Sequence, residues 1–206
     1  MQLLVITPPT TAAVEPRVAG ALLAAGLTAL HVRKPGAPFQ KLVAYIEAIP
    51  KEFHSRLVLH NYHELVPRYG LRGAHLPAGR AAGPPLWPPG SGFTLSTSFH
   101  SLAEVAQHRR RYDYVFLSPV FDSRSKPGYG AAFNLGALPG ALARWATRPG
   151  YQPRVLALGG IAAANLGAVR EMGFAGAAVL GAVWQSPDPV ATFQTLQLSA
   201  KQSASK

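Results

Sequence analysis

Two rhythms of apolar residues take turns along this chain. Short apolar runs of strand length stand near 2–7, 28–33, 56–60, 72–76, 93–98, 113–118, 154–158 and 176–180. Between them apolar residues recur at helical spacing near 16–26, 38–48, 62–69, 101–110, 135–147, 163–173 and 188–198. Strands alternating with amphipathic helices predict a parallel sheet with helical crossovers, and eight strands predict closure. The expected fold is therefore α/β, a single-domain (β/α)8 TIM barrel over 1–198, with a flexible polar tail at 199–206. One connection breaks the rhythm. Pro77 to Gly92 carries five prolines and four glycines, so an irregular segment replaces the helix after strand four. Leu86 and Trp87 are expected to cover the surface that helix would have covered.

Two of the apolar runs end on glycine. Leu156-Ala157-Leu158-Gly159-Gly160-Ile161 and Val179-Leu180-Gly181-Ala182 read as strands seven and eight, each leading toward a helix. Side by side in a barrel, such turns bring free backbone N–H groups together, which suits a phosphate.

Bulk composition narrows the partners. Nearly half the residues (48%) are apolar and 14% are charged, as in a compact globular domain. No apolar run reaches the length of a membrane span. The start, Met1 to Val5, has no basic leader segment, so a cytoplasmic location is expected. The chain has no cysteine, which excludes disulfides and thiolate metal sites. Net charge is +11, a balance that steers anions and raises a nucleic-acid reading. The densest basic run, His108 to Arg111, closes a predicted helix without interleaved aromatics, so it reads as a solvated helix end and nucleic acid is not expected.

The strand ends at the barrel mouth are basic. His31 and Arg33 share parity on strand two and point inward together. Strand three ends in His60 and Asn61, strand four carries His75, and strand five carries Ser96 and Ser98 with His100 beyond. Imidazole is the side chain suited to proton transfer near neutral pH, which makes His31, His60 and His75, with Arg33 on the same rim, candidates for a functional group. Of nine carboxylates only Glu64 and Asp122 fall near the mouth. A magnesium–diphosphate site wants carboxylates on the metal, so no metal ligands are assigned.

With these residues in order, the chain resembles the thiamine phosphate synthase/TenI superfamily over nearly its whole length. The resemblance is carried by Leu30-His31-Val32-Arg33, Leu57 to Asn61, Gly73-Ala74-His75-Leu76, Ser98 to Ser101, Asp113 to Phe121, Ser123-Arg124-Ser125-Lys126, Ala157 to Ile161 with Asn165, and Gly176 to Val179. It implies an eight-stranded barrel that handles a thiazole phosphate. Synthases of this kind join it to a pyrimidine diphosphate with Mg²⁺; TenI-type relatives tautomerise a thiazole carboxylate phosphate or have no settled activity. The resemblance implies phosphate contacts at Gly159, Gly160, Leu180 and Gly181, and anion contacts at Arg33, Ser98, Ser123, Ser125 and Lys126. It also marks departures. The Asn-Asp of synthases is His60-Asn61 here, a second metal-binding aspartate falls at about Arg80, and a lysine falls at Pro35. The tautomerase histidine after strand six is Pro119, so the resemblance implies a proton carried by another rim histidine, His60 first, then His31 and His75, with Arg33 fixing the substrate carboxylate. These losses imply a TenI-type or divergent member acting in thiamine biosynthesis, with Mg²⁺ only if synthase activity is retained. An active synthase and a non-catalytic phosphate-ligand binding or sensing protein are the alternatives, and a homodimer is possible.

Overall fold

The computed structural model describes residues 1–77, 86–88, 90–108, 110–122 and 133–201. Eight parallel strands close into a barrel in chain order: β1 (Gln2–Ile6), β2 (Leu30–Val32), β3 (Leu57–Leu59), β4 (Gly73–Leu76), β5 (Thr94–Phe99), β6 (Tyr114–Leu117), β7 (Arg154–Leu158) and β8 (Gly176–Val179). The crossovers carry α1 (Glu15–Ala24), α2 (Phe39–Glu47), α3 (Leu65–Tyr69), α4 (Leu102–Gln107), α5 (Leu138–Ala146) and α6 (Leu166–Glu171). A four-residue helix α7 (Gly181–Trp184) follows β8, and α8 (Pro189–Lys201) ends the described chain. The expected boundary at 198 thus falls inside α8, and residues 202–206 lie outside the described part. The period-2 patterning also missed a 3₁₀ turn over Lys51–Arg56.

Strand parity divides the apolar residues into two cores. Leu4, Ile6, Ala29, Tyr114, Phe116, Leu156 and Ala178 fill the barrel. The alternate positions, among them Leu3, Val5, Leu30, Val32, Leu57, Leu59, Val115 and Leu117, pack outward under the helices. Local signals agree with this. Ser101 and Glu104 form a reciprocal capping box that starts α4, satisfying N–H groups the first turn leaves unpaired. Between β4 and β5 the described residues form no helix. Leu86 and Trp87 are half-buried against the outer core, with Trp87 packed on Phe93.

One polar cluster lies inside the outer layer. Lys34, at the end of β2, is 2% exposed and pairs with Glu15 of α1 at 2.5 Å. Its ammonium also donates to the carbonyls of Pro8 and Thr10, while the Tyr45 hydroxyl of α2 donates to Glu15. Lys34 therefore belongs to the wall, and Arg33 is left as the cation of this strand end.

Candidate active site

The barrel interior changes character toward one side. Where Leu and Phe fill the interior on β1, β6 and β7, strands β2 to β5 contribute His31, His60, His75, Ser96 and Ser98. Strand pairing sets their heights. Val32 pairs with Leu59, placing His60 just past the end of β3, and His75 pairs with Ser96. The three rings pack together: His60 stacks on His75 with centroids 4.3 Å apart, and His31 meets both edge-on.

Hydrogen bonds order the cluster. Tyr114 Oη lies 2.8 Å from His31 Nε2, and His31 Nδ1 lies 3.0 Å from His60 Nε2. His75 holds Ser96 Oγ at 2.9 Å and Ser98 Oγ at 3.1 Å. Ser98, expected to contact an anion, is thus engaged with His75. His31 is fully buried and His75 nearly so, at 6% exposure. Only His60 lines the adjoining cavity of about 670 Å³, with Asn61, Tyr62, Glu64 and Trp87 among its walls. Tyr62 adopts φ 50°, a left-handed value uncommon in a non-glycine residue. Its hydroxyl donates to the Ala37 carbonyl and its ring meets Phe39.

Electrostatics keeps this cluster neutral. Burial, then the neighbouring His75 and Arg72, holds His31 well below the usual imidazole range. Burial dominates for His60 too, followed by His75, His31, Arg33 and His63. His75 is pulled down to about 3 by burial, His63 and Arg33, and Tyr114 is pushed up to about 12 chiefly by burial. A histidine depressed in the folded state binds its proton only on unfolding, so its stabilising effect is intact above pH 6.5 and is lost as pH falls toward 3. For His75 alone, metal-free protein should lose about 2 kcal/mol of stability between pH 7 and pH 5. Urea unfolding at both pH values checks this; equal stabilities would mean that the ring is protonated in the fold.

The glycine turns stand on the same rim of the barrel, after β7 and β8. Leu158 pairs with Ala178, which brings Gly159 and Gly160 next to Leu180 and Gly181. Both glycines after β7 have positive φ, 94° and 64°. A Cβ on Gly160 would lie 2.4 Å from the Asp122 carbonyl oxygen, and one on Gly159 would lie 2.7 Å from Pro119 Cα. Only glycine lets this turn press against the loop after β6. The Asn165 side chain fixes it, donating to the Gly160 carbonyl and accepting from the Ala162 N–H. Across the turn, the first N–H groups of α7 have no acceptor within the helix. Ser123, Ser125, Lys126 and Arg80 lie outside the described residues.

Two partners escaped the sequence reading. Tyr114 opens β6, at the end away from the mouth, yet its hydroxyl reaches His31. Its shared parity with Phe116 was the available signal. Glu15 begins α1, and nothing in its spacing shows that Lys34 turns to meet it. The basic run is structural where it is described: the His108 ring packs on Phe99, Tyr112 and Trp145, and Arg111 lies over Tyr151.

The closed eight-stranded barrel agrees with the family comparisons. The model of the thiamine monophosphate synthase (TMP-TENI) family matches residues 3–183, and this chain belongs to that family. It is 30% identical over 183 residues to the thiamine-phosphate synthase of Serratia proteamaculans (strain 568), covering 86% of this chain and 84% of that protein. It is 32% identical over 203 residues to that of Parasynechococcus marenigrum (strain WH8102), covering 95% of this chain but only 55% of the relative's length. Among solved structures it is similar to thiamine phosphate pyrophosphorylase from Bacteroides thetaiotaomicron, at TM-score 0.79 and 32% identity, covering 97% of this chain and 98% of that one. No helix among the described residues is long and apolar enough to cross a membrane.

Proposed function

We propose that this protein acts in thiamine biosynthesis by binding a phosphorylated thiazole at the barrel mouth and moving a proton on its carboxylate-bearing ring. The phosphate would sit on the backbone N–H groups of Gly159, Gly160, Leu180 and Gly181. Arg33 would hold the carboxylate. The observation that carries this reading is His60, the one imidazole of the cluster that lines the cavity, backed by His31 and Tyr114.

The hydrogen-bond chain gives His60 two usable states. When Tyr114 donates to His31, His31 donates to His60 Nε2 and His60 presents an Nδ1–H. When the chain runs the other way, Nδ1 presents a lone pair. A proton taken from one atom of a ring and returned to another needs both states. His31 and His75, buried beneath, are positioning residues: His31 sets the tautomer of His60, and His75 supports its ring by stacking.

The donor set does not fit the magnesium that a synthase would use. Magnesium favours hard oxygen ligands. Among the described residues, the potential ligand cluster at the mouth is all imidazole. Neither 78–85 nor 123–132 contains an aspartate or glutamate. Asn61 stands at one of the aspartate positions; its Nδ2 donates to the Lys34 carbonyl and its Oδ1 is buried without a partner. No step is therefore routed through the metal.

The names of the relatives favour the synthase as second reading, and one experiment separates the two. Purified protein is given thiazole phosphate carboxylate alone, then thiazole phosphate with pyrimidine diphosphate and Mg²⁺. Isomerisation in the first mixture is the expected result. Magnesium-dependent thiamine phosphate in the second would replace this reading with the synthase, and binding without turnover in either would make the protein a carrier or sensor. The dephosphorylated thiazole should bind at least tenfold more weakly, since each hydrogen bond to a charged group is worth about 1.5–3 kcal/mol. Equal affinities by calorimetry would remove the phosphate role from the glycine turns.

A further inference from the structure

The imidazole cluster has a second capacity, which goes beyond the thiazole reading. We infer that His31, His60 and His75 form a three-imidazole site for a transition-metal dication of zinc type, with an anionic oxygen in the position facing Arg33.

The geometry comes first. One nitrogen from each of the three rings lies within 4.8 Å of the others. Zinc–nitrogen bonds of about 2.0–2.1 Å in a tetrahedron set the donors roughly 3.3 Å apart. The 3.0 Å separation of His31 Nδ1 and His60 Nε2 is close to that spacing. The third donor lies within 4.8 Å and must close in by about 1.5 Å, for which His60 has the cavity beside it.

The surroundings are those of ligand histidines. A metal-bound imidazole characteristically gives its other nitrogen to an outer partner, which fixes its tautomer and direction. His31 has Tyr114 on Nε2, and His75 has Ser96 on Nδ1, so binding exchanges the Ser98 hydroxyl, 3.1 Å from His75 Nε2, for the ion. With no carboxylate in the set, borderline-soft metals such as zinc, cobalt or nickel are selected over magnesium or calcium. Arg33, near enough to bear electrostatically on His60 and His75, repels a bare dication. An anionic fourth ligand, hydroxide or a carboxylate, offsets that repulsion. Loaded and proton-carrying states exclude one another, because the ion takes the two nitrogens that now share the His31–His60 hydrogen bond.

The test uses the full chain, stripped with chelator and desalted. Cobalt(II) is titrated in as a visible probe, and zinc is added as competitor. The expected result is one ion per chain, with d–d absorption of nitrogen-ligated cobalt that zinc abolishes, and a rise in melting temperature with added zinc. His60→Gln and His75→Ala should each weaken binding by about 100-fold or more, and Tyr114→Phe by about tenfold, the scale of a lost outer partner. If the buried His75→Ala variant fails to fold, His60→Gln at the half-buried edge carries the comparison. A wild-type dissociation constant above about 1 mM overturns the inference. So does cobalt affinity unchanged in His60→Gln, which would place the ion on other side chains. Neither readout depends on whether thiazole is turned over.

Discussion

Replacing His60 with alanine in metal-free protein is expected to slow isomerisation of the thiazole phosphate carboxylate by about 10²–10⁴-fold, the usual scale for a lost acid–base group. Binding should persist, because the phosphate and carboxylate would be held by the glycine turns and Arg33. The loss should therefore appear in kcat more than in KM. His60 is singled out by exposure. His31 is sealed beneath it and His75 is nearly so, so neither touches a ligand in the cavity. Tyr114→Phe keeps the ring that packs against Phe116 but removes the hydroxyl that sets the tautomer of His31. It should give a smaller loss, again in kcat. Single-turnover rates on the three proteins check the ordering. A rate unchanged in His60→Ala would reject it as the proton carrier and direct attention to His63, another residue lining the same cavity.

How far such a site can be read from sequence depends on which contacts are local. The barrel was legible because parity and helical period are local properties. Leu30-His31-Val32-Arg33 shows two outward apolar residues and two inward polar ones by alternation alone. The glycine turns were legible for the same reason, since Gly159-Gly160 after an apolar run already specifies a turn that a side chain would obstruct. What sequence could not give is stagger. Strands in a closed barrel tilt, so residues that open one strand stand level with residues later in another. Tyr114 therefore reaches His31, and three histidines assigned to one rim become one half-buried ring over two buried ones. Lys34 was opaque for another reason. A lysine after an inward arginine reads as a second mouth cation, and only the packing of α1 and α2 shows its ammonium turned into the wall.

That turned lysine gives the other large effect. Lys34→Met should destabilise the protein by about 3–5 kcal/mol, the range for removing one partner of a buried ion pair. The pair itself need not be a strong net contributor, because desolvating two charges offsets much of their attraction. The cost arises from what remains: Glu15, 3% exposed, would keep a carboxylate with only the Tyr45 hydroxyl to satisfy it. The carbonyls of Pro8 and Thr10 would lose their donor as well. Adding Glu15→Gln removes the stranded charge while keeping an oxygen for Tyr45, so the double variant should recover much of the loss. Denaturant unfolding of the wild type, the single variant and the double variant provides the comparison. A functional consequence should accompany it. Lys34 ties the segment after β1 to the residue next to Arg33, so loosening it should raise KM for a carboxylate-bearing ligand while kcat changes little. If Lys34→Met costs less than about 1 kcal/mol, or the double variant is no more stable than the single one, the pair does not hold the mouth in place.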